Sequence, residues 1–414
     1  MRLMIMLSCI ALFTLACENS PTNPGTPSQT DTVASDTVAS ADIASPVADT
    51  GSAVDAESTV PDPIPFYLGG ERPATYHMPY DYDGKTAVPL LIALHGYSHH
   101  GLGFDLYFGL SAYTKTHGVM LVVPEGTINK SDKAFWNATD ACCDYYSSGV
   151  DDVAYISELI AEAKTHFNID PKRVYLVGHS NGGFMSHRMA CDRSDLIAGI
   201  VSFAGSTWWD PTDCGNPDPV AILQIHGEWD TSIMYSGLKP YQAQPGAPAT
   251  EVEPCLKDKC TTLFDLCLND AGCAAYYGCL VDCSAQANPD ACYTGCWNAA
   301  SGPTRVLWMP AFTCGLTEGC YGDSTQSWPG YPSAPEIAKR WSALNGCQAT
   351  TTTGASKDLI EGVPGVDTVI QRYDDCPVGQ EVSLWTILYG AHSPSFTTNW
   401  APAIVDWLLT QSKP

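Results

Sequence analysis

Continuous apolar runs, each only a few residues long, dominate the chain from residue 90 onward. They are Leu90–Leu94, Val119–Val123, Val174–Val177, Ile197–Phe203, Val220–Ile225 and Val382–Leu388. The first three are unbroken and the others are interrupted only by Ser202, by Gln224, and by Ser383 and Thr386, rather than alternating, which is the pattern of a strand covered on both faces. Between them lie stretches of helical period. From Asp151 to His166, apolar Val153, Ile156, Ile160 and Ala163 share one face, and two aspartates stand in the first turn where the helix dipole favours them. Strands alternating with helices predict an α/β fold with a mostly parallel central sheet flanked by helices.

Composition narrows what such a fold does. The 414 residues carry 45 Asp+Glu against 20 Lys+Arg, a formal charge of −25, which repels phosphate backbones and excludes nucleic acid as a partner. Eighteen cysteines point to an oxidising compartment.

The first residues fit export. Met1-Arg2 is a minimal positive segment, and Leu3 to Ala16 is an apolar run too short to span a bilayer. The ending Thr14-Leu15-Ala16-Cys17 resembles a bacterial lipobox, with Thr14 where that pattern prefers Leu. Residues 1–16 are therefore expected to be a signal peptide and Cys17 a lipidated first residue; an ordinary signal peptide is the alternative. Residues 17–62 read as an acidic tether. They are rich in Pro, Ser, Thr and Ala, repeat D-T-V-A-S at 31–35 and 36–40, and lack the apolar residues that would offset ordering entropy.

The chemistry falls at strand ends. Val174–Val177 runs into Gly178-His179-Ser180-Asn181-Gly182, a G-x-S-x-G with strand before and helix after, as a nucleophile elbow requires. Both glycines stand where the turn leaves no space for a Cβ, and the Asn181 N–H opens the helix toward a developing oxyanion. A second oxyanion donor is expected from the earlier strand's loop, Leu94-His95-Gly96-Tyr97, as the N–H of Tyr97. His95 is expected to brace that loop, and His99 and His100 to sit at the rim.

In this chain order the acid follows the serine and the histidine comes last. Asp230 lies just beyond the strand ending at His226, with Glu228 as the runner-up. Downstream of Asp230 the chain has one histidine, His392, which also follows an apolar run. The expected triad is Ser180, Asp230 and His392.

With these residues in place, the chain resembles a known family. Trp136-Asn137, Cys142-Cys143, Val150-Asp151-Asp152-Val153 and the run R-V-Y-L-V-G-H-S-N-G-G-F-M-S-H-R-M-A-C at 173–191 are similar to polyhydroxybutyrate depolymerase-type esterases. That family includes feruloyl, acetylxylan and LpqC-like secreted esterases. Leu91–Gly96, Ile225–Asp230 and Asn345-Gly346-Cys347 match its other blocks. The resemblance implies an α/β-hydrolase fold, the same triad, ester hydrolysis through an acyl-enzyme, and no metal or organic cofactor. Trp136, Trp229 and Tyr235 are the expected substrate contacts.

The chain departs from the family twice. Around the histidine it reads Y-G-A-H-S-P-S-F rather than G-G-G-H-x-W-P-G. It also carries an insertion, 238–331, with ten cysteines, which divides the hydrolase body into 63–237 and 332–414. Cys279/Cys283 and Cys292/Cys296 each place two thiols on one helix face, as in an antiparallel hairpin with bridges Cys279–Cys296 and Cys283–Cys292. A metal cluster is the rival reading. In the body, Cys347–Cys376 is the expected bridge, and Cys142, Cys143, Cys191 and Cys214 stay unassigned. The insertion reads as a lid whose Tyr276, Tyr277, Trp297, Trp308, Phe312 and Trp328 grip substrate, or as a stapled module with those aromatics as its core.

The whole reads as a monomeric serine esterase, extracellular or anchored to the outer membrane by lipid alone. Its substrate would be a polyhydroxyalkanoate polyester or the feruloyl or acetyl esters of polysaccharide. The alternative is a surface binding protein of weak activity whose insert grips polymer.

Overall fold

The computed structural model describes residues 65–241, 252–284, 289–318, 320 and 327–414. The expected signal peptide, Cys17 and the tether lie outside the described residues. Among those described, no helix is long and apolar enough to cross a membrane.

The apolar runs form the sheet. Its strands are β1 (Thr75–His77), β2 (Val88–Leu94), β3 (Met120–Val123), β6 (Ile169–His179), β7 (Gly199–Phe203), β8 (Ala221–Gly227), β9 (Thr351–Thr353), β10 (Thr368–Tyr373) and β11 (Val382–Ile387). Two-residue strands β4 (Thr127–Ile128) and β5 (Ala134–Phe135) pair separately. The main order is β1-β3-β2-β6-β7-β8-β11-β10-β9. Neighbours from β3 to β11 run parallel, while β1 at one edge and β10 and β9 at the other run antiparallel. This is the mostly parallel, helix-flanked sheet of an α/β-hydrolase.

All residues of β2, β7, β8 and β11 are buried, including the polar Ser202, Gln224, His226, Ser383 and Thr386 within these mainly apolar strands. On one face the sheet packs against helices α3 (Asp152–His166), α4 (Asn181–Asp192) and α10 (Ala334–Leu344). On the other it packs against α1 (Gly101–Phe108), α2 (Leu110–Thr114) and α11 (Trp400–Leu409).

The two aspartates at the start of α3 do different work. Asp151 is the N-cap and accepts from the Ala154 N–H at 2.9 Å. Asp152 turns inward and is buried, where it meets Arg72 Nη2 at 2.7 Å and accepts from the Asn137 N–H. The sequence placed both in the first turn as dipole partners; the second is instead half of a buried ion pair.

Among the described residues the insertion holds five helices: α5 (Val252–Lys259), α6 (Thr261–Leu268), α7 (Ala271–Ser284), α8 (Pro289–Ala299) and α9 (Gly302–Thr317). It leaves and rejoins the body at one foot, where Leu238 pairs with Tyr331 and Tyr241 with Trp328 as antiparallel bridges. The structure joins Cys279 to Cys296 and Cys283 to Cys292 across α7 and α8, and adds Cys255–Cys320, Cys260–Cys314 and Cys267–Cys273. The Cys279, Cys283 and Cys296 sulfurs lie within 4.8 Å of one another, and each is taken up by a disulfide.

Of the two readings left open for its aromatics, the structure places Tyr276, Tyr277, Trp297, Trp308 and Phe312 in the insertion's own apolar core. Trp328 stays half-buried at the foot, its ring 6.4 Å from that of Tyr145. In the body the bridges are Cys347–Cys376, Cys191–Cys214 and the adjacent pair Cys142–Cys143.

Candidate active site

Parallel strands in register deliver the candidate residues to one edge of the sheet. His179, Phe203, Ile225 and Trp385 lie side by side on β6, β7, β8 and β11. Ser180, Asp230 and His392 follow within a few residues, so all three lie at the carboxyl ends of the strands, where open α/β sheets place ligands.

Ser180 stands at φ +55° and ψ −119°, between β6 and α4. A side chain holds this backbone conformation only where the surroundings enforce it. The enforcement is steric. A Cβ on Gly178 would lie 2.1 Å from the Gly182 carbonyl oxygen, and one on Gly182 would lie 2.0 Å from that of Leu94. The Ser180 N–H also donates to the Phe203 carbonyl at 2.9 Å.

His392 and Asp230 meet directly, with Nδ1 2.8 Å from Oδ2. The Ser232 and Ile233 N–H groups donate to Asp230 Oδ1 at 2.8 and 2.9 Å. Burial alone would raise this carboxyl, yet the His392 charge and the hydrogen bonds from His226 and His392 hold it well below the usual carboxylate range. Glu228 is exposed and lies off this pairing. Ser180 joins the pair through its neighbour, because His179 Nε2–H donates to the His392 carbonyl at 2.9 Å and the two rings lie 4.8 Å apart. Among the described residues no hydrogen bond links the Ser180 hydroxyl to His392.

The candidate oxyanion loop runs close beside Ser180. A Cβ at Gly96 would come within 3.4 Å of Ser180 Cβ, so the Tyr97 peptide passes close to the serine. Neither the Tyr97 nor the Asn181 N–H has a backbone partner among the described residues. Their surroundings are rigid. The Asn181 side chain clamps the Trp136 peptide, accepting from its N–H at 2.7 Å and donating to its carbonyl at 2.9 Å. The Trp136 indole donates to the His95 carbonyl at 2.9 Å. His95 is fully buried; it donates to the Gly96 carbonyl and accepts from the Gly126 N–H, and burial lowers its pKa to about 4. His99 and His100 are both exposed, and His100 lies 3.7 Å from Glu125.

The expected substrate contacts lie in different surroundings. Trp136 is completely buried, where its indole braces the loop of His95. Tyr235 is half-buried, its hydroxyl 3.0 Å from Thr386 Oγ1 and its ring edge-on to His226. Trp229 does lie partly open, packed edge-on against Tyr389 at 4.9 Å, with Gly302 of α9 beside its ring. Tyr145 and Tyr389, neither singled out in the sequence, are the exposed aromatics flanking Tyr97 and Trp229.

Residues 67–235 match the family model described as "Putative esterase". Over this stretch the chain is similar to esterase-family hydrolases. It is 28% identical over 169 residues to feruloyl esterase B of Piromyces equi, which is 40% of this chain and 30% of that one. It is 32% identical over 123 residues to poly(3-hydroxyalkanoate) depolymerase C of Paucimonas lemoignei, 29% of this chain and 28% of that one. The chain thus spans less than a third of the length of these two relatives. Among solved structures, the acetyl xylan esterase from Aspergillus awamori aligns over 82% of this chain and 94% of that one, at 11% identity and a TM-score of 0.45.

Proposed function

We propose that this protein is an exported serine esterase acting through an acyl-enzyme. The observation that carries it is the His392–Asp230 contact at 2.8 Å beside a serine held at φ +55°.

Ser180 Oγ attacks the ester carbonyl as its proton passes to His392 Nε2. The serine–imidazole contact is made in the substrate complex, where such bonds tighten. Asp230 holds His392 with Nδ1 protonated and stabilises the imidazolium. The N–H groups of Asn181 and Tyr97 stabilise the tetrahedral oxyanion. His392 then protonates the departing alkoxide, activates a water against the acyl-enzyme, and returns the proton to Ser180 as the acid leaves.

The rim of Tyr97, Tyr145, Trp229 and Tyr389 supports an acyl or leaving group with flat or extended apolar surface. Feruloyl esters and polyhydroxyalkanoate chains fit this requirement. The insertion, whose Gly302 reaches Trp229, serves as one wall of the entrance. The eight disulfides among the described residues support an oxidising, extracellular location, with lipid at Cys17 as the anchor.

The test compares wild type with Ser180→Ala on p-nitrophenyl acetate and butyrate, methyl ferulate and a polyhydroxybutyrate film. Turnover lost in the variant on every ester supports the reading. Absence of Ser180-dependent turnover on all of them overturns it.

A further inference from the structure

Asp230 is approached by a second imidazole. His226 Nε2 lies 3.2 Å from the same Oδ2 that His392 approaches, and 2.7 Å from the Ile233 carbonyl. His226 belongs to a buried polar chain running away from the site. Its Nδ1 lies 3.3 Å from Gln224 Nε2, Gln224 Oε1 lies 2.9 Å from His187 Nε2, and His187 Nδ1 accepts from the Trp341 indole at 3.0 Å. All four side chains are buried.

The direction of every bond follows from the far end. An indole N–H only donates, so His187 Nδ1 must accept and His187 Nε2 must carry the proton. Gln224 Oε1 takes that proton, which turns its amide nitrogen toward His226 Nδ1; the same nitrogen donates to the Gly205 carbonyl at 3.0 Å. His226 Nδ1 therefore accepts, leaving Nε2–H to donate to Ile233 and Asp230. A donor-only group on α10 thus sets the tautomer of an imidazole at the acid loop.

We propose that His226 is a positioning residue for the triad: its Nε2–H, oriented from Trp341 through His187 and Gln224, pins Asp230 and Ile233 so that Asp230 is held toward His392. This rests on the triad reading above. Asp230 then has all its lone pairs engaged, two backbone N–H groups on Oδ1 and two imidazoles on Oδ2. The shared Oδ2 gives His392 a weaker acceptor than an unshared carboxylate would. Other titratable groups facing the pair are His179 and His99 beside His392, and Tyr331 and Tyr235 beside the acid loop.

His226→Phe removes the donor and keeps a flat ring. Its kcat on p-nitrophenyl butyrate should fall about tenfold with KM unchanged, the cost of a loosened base. The acid limb of its kcat/KM profile should move up by about half a pH unit, because Oδ2 then serves His392 alone. His226→Gln, which can still accept and donate, should restore most of both. Unchanged kcat and an unmoved acid limb in a folded His226→Phe, with Ser180→Ala inactive, overturns the positioning role and leaves the triad standing. An active Ser180→Ala overturns both. Should His226→Phe not fold, histidine-¹⁵N spectra of wild type decide: His187 and His226 should both show unprotonated Nδ1 and protonated Nε2 at neutral pH, and the opposite tautomer at His226 overturns the proposal.

Discussion

Gly182 is pressed against Leu94, and a Cβ at this position would lie 2.0 Å from the Leu94 carbonyl oxygen. The second glycine of the elbow is thus the point where α4 meets β2, and the same closeness brings Ser180 beside the candidate oxyanion loop. Gly182→Ala must push the helix off the strand, at a cost of about 3 kcal/mol, near the top of the range for overpacking. Gly278, inside α7 with nothing within 4 Å of its missing Cβ, is the control; Gly278→Ala should stabilise by about 1 kcal/mol. Urea unfolding of both variants checks the contrast, and equal effects would contradict it.

Stability should fall as pH drops below neutrality, because three imidazoles are buried uncharged. Burial lowers His95 and His187 to about 4 and His179 to about 3, from an ordinary 6.5. The unfolded chain takes up protons on these groups near pH 6.5 and the folded chain does not, so unfolding consumes protons and acid favours it. The loss begins near pH 6.5, continues toward 4, and amounts to about 2 kcal/mol per group at pH 5. Thermal unfolding from pH 7 to 5 should show the decline. His187→Gln should flatten it by up to one proton, and an unchanged slope would remove His187 from the account.

Much of the site was legible because its determinants are local. The apolar runs define the strands, strand order fixes which ends share an edge, and Gly178 and Gly182 mark a turn that only glycine tolerates. Asp230 and His392 follow from chain order once Ser180 is assigned. What the sequence left unassigned depends on contacts between distant segments. Arg72 and Asp152 are 80 positions apart, and nothing around either marks it as a partner of the other. Trp136 was expected at the substrate; only the packed loop shows it fully buried, its indole donating to the His95 carbonyl. His226, four positions before Asp230, carried a usable signal: a histidine ending a buried strand just ahead of the acid needs a partner.

The insertion's disulfides should be its main source of stability. Cys255–Cys320 encloses a 65-residue separation, and closing a loop of that length is worth about 4 kcal/mol in the unfolded chain's entropy. The paired replacement Cys255→Ser/Cys320→Ser should open the insertion to proteolysis while the body, with its own core, stays resistant. Limited trypsin digestion followed by mass spectrometry reads this out. Cleavage spread equally over both parts would show that they unfold together.

Arg72 and Asp152 form the pair on which the loop behind the oxyanion hole rests. The guanidinium meets the buried carboxylate at 2.7 Å and lies 3.5 Å from the centre of the Tyr155 ring, while Asp152 holds the Asn137 N–H next to Trp136. Arg72→Met keeps the apolar stem and leaves a buried carboxylate unpaired, a loss of about 3 kcal/mol at pH 8. Burial already raises the Asp152 pKa, with Arg72 opposing it, so removing Arg72 raises it further. A carboxyl whose folded pKa exceeds its unfolded value loses stability as pH rises through the folded pKa. The variant's deficit should therefore shrink as pH falls from 8 to 5, opposite in sign to the acid effect of the buried histidines. Measured against wild type at each pH, urea unfolding separates the two. A pH-independent deficit would mean that Asp152 stays ionised in the variant throughout, or that Arg72 acts by packing on Tyr155 alone.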